Sequence, residues 1–428
     1  MANVVVVGGG ISGLAAAEWL RDDHSVTVVD PQPGGKVRTR RIQGFAVDEA
    51  ANGWLDSEPA VGRLVDRLGL RQRLLPAEHG PRWLATGERL IEIPMKPPDM
   101  LTSQVLSWPG KLRAAADLVM PRGPEEETVA AFVRRRLGDE VLRRLVAPMV
   151  AGIHAGDTEA LSLAGCFPKL KQLETDHRSL LLASRGRSAG PPGRLTTLTG
   201  GAGVLTETLV ERADIVPSSC IGLEPGPPWR VLTDQGALEA DAVVLACPGH
   251  VSRGLLDFDD ELPSLMGSFP YAPIAVVVAG LPMWDTAPKG FGFLVPPEEG
   301  RGILGTLFTS NSYPSHAPEG HVLIRTMLGG ALNPLQASLE LEGLVAIARR
   351  ENERLLGPMP DALMTQVMVH PQGIPQYLLG HPQRVERLQA AAAPYEGLFL
   401  AGNHLRGIGV KDCMREGERV AEAVRAAL

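Results

Sequence analysis

Three glycines near the start of the chain have the spacing that holds a dinucleotide. Gly8, Gly10 and Gly13 stand in Gly8-Gly9-Gly10-Ile11-Ser12-Gly13, between the run Val4–Val7 and the alanine-rich run Leu14–Ala17. In a strand–turn–helix unit the first glycine makes the tight turn and the second lets the main chain approach a pyrophosphate. The third lets helix pack on strand. The amides of Ile11 and Ser12 then face the phosphates at the positive end of the helix dipole. Asp30 ends a second apolar strand, Ser25–Val29, where an acid accepts hydrogen bonds from an adenosine ribose. The alternative is a glycine turn of purely structural purpose. The sequence offers no convincing Ser/His/Asp, Cys/His or paired-carboxylate arrangement of the kind a hydrolase needs.

Two further segments favour FAD over NAD. Gly34, Gly35 and Lys36 follow the second strand at once, and a paired glycine lets the main chain close on a ligand already lying across a sheet. Near the other end Gly402 closes the strand-like run Leu398–Ala401, and Gly409, Val410 and Lys411 open a helix reaching about Ala427. A NAD domain is usually contiguous, whereas a longer, permanently enclosed cofactor calls for a second helix N-terminus. The alternative is that these terminal glycines only cap strands.

Such residues need elements to position them. A chain of 428 residues predicts two or three domains. Apolar content of 44% and a formal charge of −7 fit a globular enzyme and give no basic field for nucleic acid. Cys166, Cys220, Cys247 and Cys413 are scattered, so neither a disulfide framework nor a metal site is expected. The first strand begins near residue 3, which leaves no room for a signal peptide, and no apolar run matches a membrane span. A cytoplasmic location is the expectation.

A middle block starts at Thr199-Gly200-Gly201, with a helix near Val204–Glu211 and strands at Ile215–Val216, Trp229–Thr233 and Ala242–Ala246. From Tyr271 to Gly330, strands at Ile274–Val278, Phe291–Val295, Ile303–Phe308 and Val322–Leu328 predict an antiparallel sheet, a wall for a large flat ligand. From Arg82 to Leu182 the texture is helical, with helices predicted over Leu112–Met120 and Glu125–Leu137, the latter starting at Pro124 and its acids. Two readings stay open for Met95–Trp108: a membrane-docking surface with Lys96, Lys111 and Arg113 near lipid headgroups, or a core-facing helix. Arg134–Arg136 with Arg143 and Arg144 read as a solvated helix face rather than an anion site.

Several segments are recognisable together: Gly8–Gly13, Gly152–Asp157, His177–Leu180, Tyr271–Val276, Gly290–Pro296, Met327–Gly330, Gly373–Tyr377 and Gly409–Cys413. On them the chain resembles the FAD-dependent protoporphyrinogen oxidases, among the amine oxidase-like flavoproteins, essentially end to end. The resemblance implies an α/β fold with a discontinuous Rossmann-like FAD-binding domain (1–76, 186–262 and 382–428). It adds a helical membrane-associated domain (77–185) and a substrate domain with a mixed or antiparallel sheet (263–381). The implied reaction is the six-electron oxidation of protoporphyrinogen IX to protoporphyrin IX in haem biosynthesis, as three hydride-equivalent transfers to FAD. Dioxygen is the acceptor and gives hydrogen peroxide. Peripheral contact with the inner face of the cell membrane and a homodimer are also implied. The alternatives are coproporphyrinogen III as substrate, a secondary-metabolite flavin oxidase, and a non-catalytic FAD- or porphyrin-binding relative.

Residue by residue, the resemblance places a substrate propionate on Arg82, whose guanidinium fork suits a carboxylate. The alternative is a surface arginine near Glu88. Phe291 and Leu294 match side chains that sandwich pyrrole rings, with Met327 close by and Gly156 at the pocket; without the resemblance the three side chains would read as core. Asn52, Gly53, Trp54 and Ile221 match cofactor contacts. His154 replaces an aromatic residue and reads as structural rather than catalytic. No catalytic side chain is expected, because the flavin carries the difficult step.

Three departures stand out. The loop Asp30–Gly35 is short and lacks the family's arginine. An acid-x-Gly-Pro segment bordering the flavin becomes Asp48-Glu49-Ala50-Ala51, which puts the shape of that turn in question. Lys411 stands where a neutral amide is common, and a cation beside the flavin pyrimidine would raise the flavin potential.

Overall fold

A computed structural model describes residues 1–95, 99–183 and 193–428. The first strand, Asn3–Val7, lies between Ser25–Val29 and Ala242–Leu245 in parallel register. Asp214–Val216 and Leu398–Leu400 complete a five-stranded parallel sheet. Continuous β-branched runs suit strands covered on both faces. Val4 and Val6 pack with Ala16, Leu20 and Val424 of the first helix (Ile11–Leu20) and the terminal helix (Val410–Ala427). On the other face Val5 and Val7 pack with Trp229, Val231 and Leu256. The two helices meet at a tight seam: a Cβ on Gly417 would stand 2.7 Å from the Ala15 Cβ and 2.8 Å from the Ser12 carbonyl oxygen.

The second large element is a seven-stranded sheet ordered Met364–Pro375, Tyr271–Pro282, His321–Gly329, Gly305–Phe308, Gly292–Leu294, Arg82–Thr86, Arg89–Glu92. Its last two strands correct the sequence reading, in which residues from Arg82 onward are helical. Trp83-Leu84-Ala85 and Leu90-Ile91 flank the turn at Gly87 as a hairpin, and the first of its strands pairs in parallel with Gly292–Leu294.

Beyond that hairpin the chain is helical, around a core that includes Val105, Leu106, Phe132, Leu142 and Val150. The helix expected from Glu125 starts at Val129 instead, because Thr128 caps it by accepting from the Ala131 amide at 3.0 Å. Glu127 is drawn into a charge cluster. Arg136 is fully buried and pairs with Asp117 (3.3 Å) and Glu174 (2.9 Å), while Arg135 pairs with Glu127 (2.7 Å) and Glu174 (2.9 Å). The arginine run is therefore not a solvated face. Arg134 and Arg143 alone of those five are exposed, paired with Glu159, Asp139 and Glu298.

The segment Met95–Trp108 divides between its two readings. Val105 and Leu106 are core, whereas Leu101 and Trp108 are exposed, and Leu112 and Val119 extend that apolar surface. Lys111 Nζ donates to the carbonyls of Leu101 (2.7 Å) and Ser103 (2.8 Å), and Arg113 to those of Arg134 (2.8 Å), Arg135 (2.9 Å) and Arg136 (3.2 Å). Both cations are thus engaged inside the domain rather than held out for headgroups; Lys96 lies outside the described residues. Among the described residues no helix is long and apolar enough to cross a membrane.

Candidate active site

The glycine turn is built around Asp30. Its carboxylate accepts from the Gly9 amide at 2.6 Å and from the Gln32 amide at 2.7 Å, and each oxygen keeps lone pairs for a ribose. Gly13 admits no side chain, since a Cβ would lie 2.0 Å from the Gly8 oxygen. Gly10 is the opposite case: a Cβ there meets nothing within 4 Å. The second glycine turn closes on this opening, with the Gly34 amide on the Gly9 oxygen at 2.7 Å and Gly35 at φ +58 against the Gly10 Cα. The first helix has Gly10 as N-cap, no side-chain cap and no acid in its first turn. Its first internal bond is Leu14 to Gly10, at 2.9 Å. The amides of Ile11, Ser12 and Gly13 are therefore left for an anion, and the open volume beside Gly10 fits a pyrophosphate.

The far end of the cofactor space joins several segments. Ala51, Trp54, Val37, Ile11, Val410 and Cys413 share one apolar cluster. Tyr377 holds the loop ahead of the terminal helix, donating to the Asn403 oxygen (2.6 Å) and accepting from the Gly407 amide (2.7 Å). Gly402 leads into that loop at φ +131. Gly409 caps the terminal helix, and Asp412 answers both its amide (3.3 Å) and Lys411 Nζ (2.5 Å). The Lys411 charge is thus partly neutralised inside its own helix turn. Lys36 Nζ reaches across to the seven-stranded sheet, donating to the carbonyls of Gln372 (2.9 Å) and Gly373 (2.5 Å); burial lowers its pKa. Ile221 sits in a bulge between Cys220 and Gly222 and is 61% exposed, so its main chain is out of the ladder. Asn52 is half-buried, and Gly53 approaches the Thr196 oxygen too closely for a side chain. An uncapped helix start, two opposed glycine turns and, at the sheet boundary, a cation with no acid partner among the described residues together suit FAD.

Sequence reasoning missed the support beneath the Asp48–Ala51 turn. Arg325, on the strand His321–Gly329, is buried. Its Nη1 donates to the Asp48 carbonyl at 2.6 Å and its Nη2 to the Ala50 carbonyl. Burial pulls its pKa down to about 10, opposed by the Asp48 carboxylate. That carboxylate accepts from Thr39 Oγ1 (2.6 Å) and the Ala202 amide (3.0 Å), with His316 Nε2 at 3.5 Å. A lone charged residue inside the strand Val322–Leu328, whose other members are apolar except Thr326, was the available signal.

Leu294 and Met327, expected at the substrate wall, lie in one row of the large sheet. Leu84, Leu294, Gly305, Met327, Val276 and Met368 are successive register partners and so share a face. Leu294 and Met327 are half-buried, and Gly305 leaves the surface between them free of a side chain. Arg82 stands two residues before Leu84 on that face. Its guanidinium carbon lies 4.9 Å from the Phe291 ring centre, and desolvation lowers its pKa. Arg82 is exposed at the start of its strand, as the surface-arginine alternative has it, but no carboxylate, Glu88 included, pairs with it among the described residues. Gly152 packs against Leu294, and Gly156 against Leu161 and Gln376. Arg82, Leu294 and Met327 are thus brought to one face, with Phe291 at its edge against the Arg82 guanidinium and Gly156 at the helical border. His154 is buried edge-on to Phe167 at 5.3 Å, and burial pulls its pKa down to about 4. It is a neutral packing residue at ordinary pH.

The comparisons with known proteins agree with this geometry. Residues 11–425 match the family of flavin containing amine oxidoreductases. A chloroplastic protoporphyrinogen oxidase from Oryza sativa subsp. japonica is 32% identical, over 96% of this chain and 86% of that one. A coproporphyrinogen III oxidase from Bacillus subtilis (strain 168) is 28% identical, over 97% and 96%. The crystal structure of a proposed protoporphyrinogen oxidase from Exiguobacterium sp. 255-15 superposes with a TM-score of 0.89 at 25% identity, over 100% and 99%. The chain belongs to the flavin-containing amine oxidoreductase family and, within it, is an FAD-dependent oxidoreductase of the protoporphyrinogen oxidase family.

Proposed function

We propose that the enzyme oxidises protoporphyrinogen IX to protoporphyrin IX in haem biosynthesis. The observation that carries this reading is a single guanidinium, Arg82, without an acid partner among the described residues, at the edge of an apolar wall. When bound, FAD supplies the two-electron acceptor, and dioxygen takes those electrons on to hydrogen peroxide. The chain's own residues bind and orient. Arg82 takes a propionate, while Phe291, Leu294 and Met327 give a flat tetrapyrrole an apolar bed and exclude water. Gly305 leaves that bed level. The three-part division, with residues 82–92 moved to the substrate sheet, belongs to the same reading.

A coproporphyrinogen carries four propionates and calls for further cations on the wall, which this row of residues does not provide. The test is turnover of purified holoprotein with protoporphyrinogen IX and coproporphyrinogen III offered separately, scored as porphyrin fluorescence above the spontaneous rate. Preference for the second substrate reassigns the step, and oxidation of neither overturns the reading.

The helical domain is proposed to dock on the inner face of the cell membrane through Leu101, Trp108, Leu112 and Val119. Trp108 and Leu112 are 66% and 71% exposed and lie four residues apart on one helix, so they insert together. Replacing both with glutamate is expected to abolish sedimentation with anionic vesicles at unchanged turnover of detergent-dispersed substrate. Undiminished sedimentation removes the proposal.

A further inference from the structure

We propose that Arg325 is a positioning residue that aims the main-chain amide of Ala51 at a carbonyl oxygen of the flavin ring. The argument starts from the buried guanidinium. It crosses from the substrate sheet to the turn Asp48–Ala51 and donates there to two main-chain carbonyls, those of Asp48 and Ala50. A trans peptide carries its carbonyl and its N–H on opposite sides. Holding the Ala50 oxygen toward Arg325 therefore turns the Ala51 N–H the other way, out of the sheet.

Three observations say what lies on that side. Ala51 packs on the cluster that contains Ile11 and Val410, the first residues of the two helices that open on the cofactor space. The neighbouring amide of Glu49 is already committed, to the Arg38 oxygen at 2.9 Å, so this turn is pinned on two sides. The amides of Ala51 and Asn52, both half-buried, have no partner among the described residues. A half-buried donor left unpaired beside a ligand space is a donor for that ligand.

The turn lacks the glycine and proline that would set its shape by dihedral restriction alone. Arg325 supplies that shape from outside, and alanine supplies an N–H that a proline cannot. Asp48 completes the device. Its carboxylate is the counter-charge that lets a guanidinium lie buried there, and Thr39 and the Ala202 amide hold that carboxylate. Reduction puts negative charge on the flavin carbonyls, so a donor aimed at one stabilises reduced over oxidised flavin.

The experiment measures the midpoint potential of bound flavin in the purified holoprotein, which needs no porphyrinogen and so stands apart from the substrate assignment. Ala51→Pro removes the N–H and leaves Arg325 in place. It is expected to weaken the preference for reduced over oxidised flavin about tenfold, a fall of about 30 mV for a two-electron couple. Ala51→Gly keeps the N–H and is expected to stay at the wild-type potential. Arg325→Met is expected to fall as Ala51→Pro does, and the double variant no further, because both remove one hydrogen bond. Arg325→Lys, which reaches one of the two carbonyls, is expected between wild type and Arg325→Met. A wild-type potential in Ala51→Pro overturns the proposal even if Arg325→Met lowers the melting temperature, since that outcome assigns Arg325 a structural role only. If Ala51→Pro does not fold, the Arg325→Lys potential decides: unchanged overturns, lowered supports.

Discussion

Replacing Arg82 with alanine removes a guanidinium that has no acid partner among the described residues and a cation–π contact to Phe291 at 4.9 Å. A charge-assisted bond to a carboxylate contributes about 1.5–3 kcal/mol, and an exposed guanidinium such as Arg82 falls in the lower part of that range. At about 2 kcal/mol the expected loss in kcat/KM is about thirtyfold. The propionate is peripheral to the bridge carbons that lose hydride, so the loss is expected mainly in KM, with kcat within about threefold. Arg82→Lys keeps the charge but not the fork and is expected to lose about fivefold. Steady-state porphyrin fluorescence with protoporphyrinogen IX and its dimethyl ester, in wild type and Arg82→Ala, forms a double cycle. Esterification is expected to cost the wild type about what the substitution costs, and to cost Arg82→Ala nothing further. Two results refute the reasoning: Arg82→Ala within twofold of wild type, or an ester penalty that is the same in both proteins.

Two glycine substitutions separate folding from cofactor binding. Gly13→Ala places a Cβ 2.0 Å from the Gly8 oxygen and is expected to destabilise the apoprotein by about 3 kcal/mol or more, read by denaturant melts. Gly10→Ala, whose Cβ meets nothing within 4 Å, is expected to leave the apoprotein melt unchanged and to weaken FAD by at least about a hundredfold in a flavin-quenching titration. Burial holds the His154 pKa at about 4 in the fold against about 6.5 unfolded, so the unfolded chain takes up the proton first as pH falls. Stability from this group is full above about pH 6.5 and lost toward pH 4, by roughly 3 kcal/mol. His154→Phe is expected to flatten that slope in melts across the window. Lys411→Asn is expected to lower the flavin midpoint potential by less than about 30 mV, because Asp412 already answers that charge at 2.5 Å. A larger fall shows that the ammonium leaves Asp412 when flavin is bound.

What the sequence displayed well is local in origin. The first two strands of the parallel sheet, the helix between them and the glycine turn lie within thirty residues, and the strand Ala242–Leu245 repeats the same apolar texture. What it concealed depends on partners far along the chain. Arg136 looks like one of three solvated arginines until Asp117 and Glu174 arrive from other helices. Arg82–Thr86 is too short to show as a strand without Gly292–Leu294 to pair with. The Met95–Trp108 segment has no single helical stripe because alternate parts face the core and the solvent. Within the candidate site, Arg82, Phe291, Leu294 and Met327 were named through resemblance alone; what brings Arg82, Leu294 and Met327 to one face is register across four strands, which no local pattern displays. Arg325 was not, because an arginine in a strand says nothing of the turn nearly three hundred residues earlier that it supports.

The seam where Gly417 meets Ala15 has a consequence for how the enzyme is made. The parallel sheet takes its edge strand from Leu398–Leu400, and the face that Val4 and Val6 present is closed by the terminal helix. During synthesis the glycine turn of the first helix therefore waits, half-roofed, until the helix Val410–Ala427, some four hundred residues later, has been made. FAD cannot be locked in before that moment. The cofactor therefore acts as a ligand of the form in which both helices are in place, and binding adds to the stability of that form by mass action.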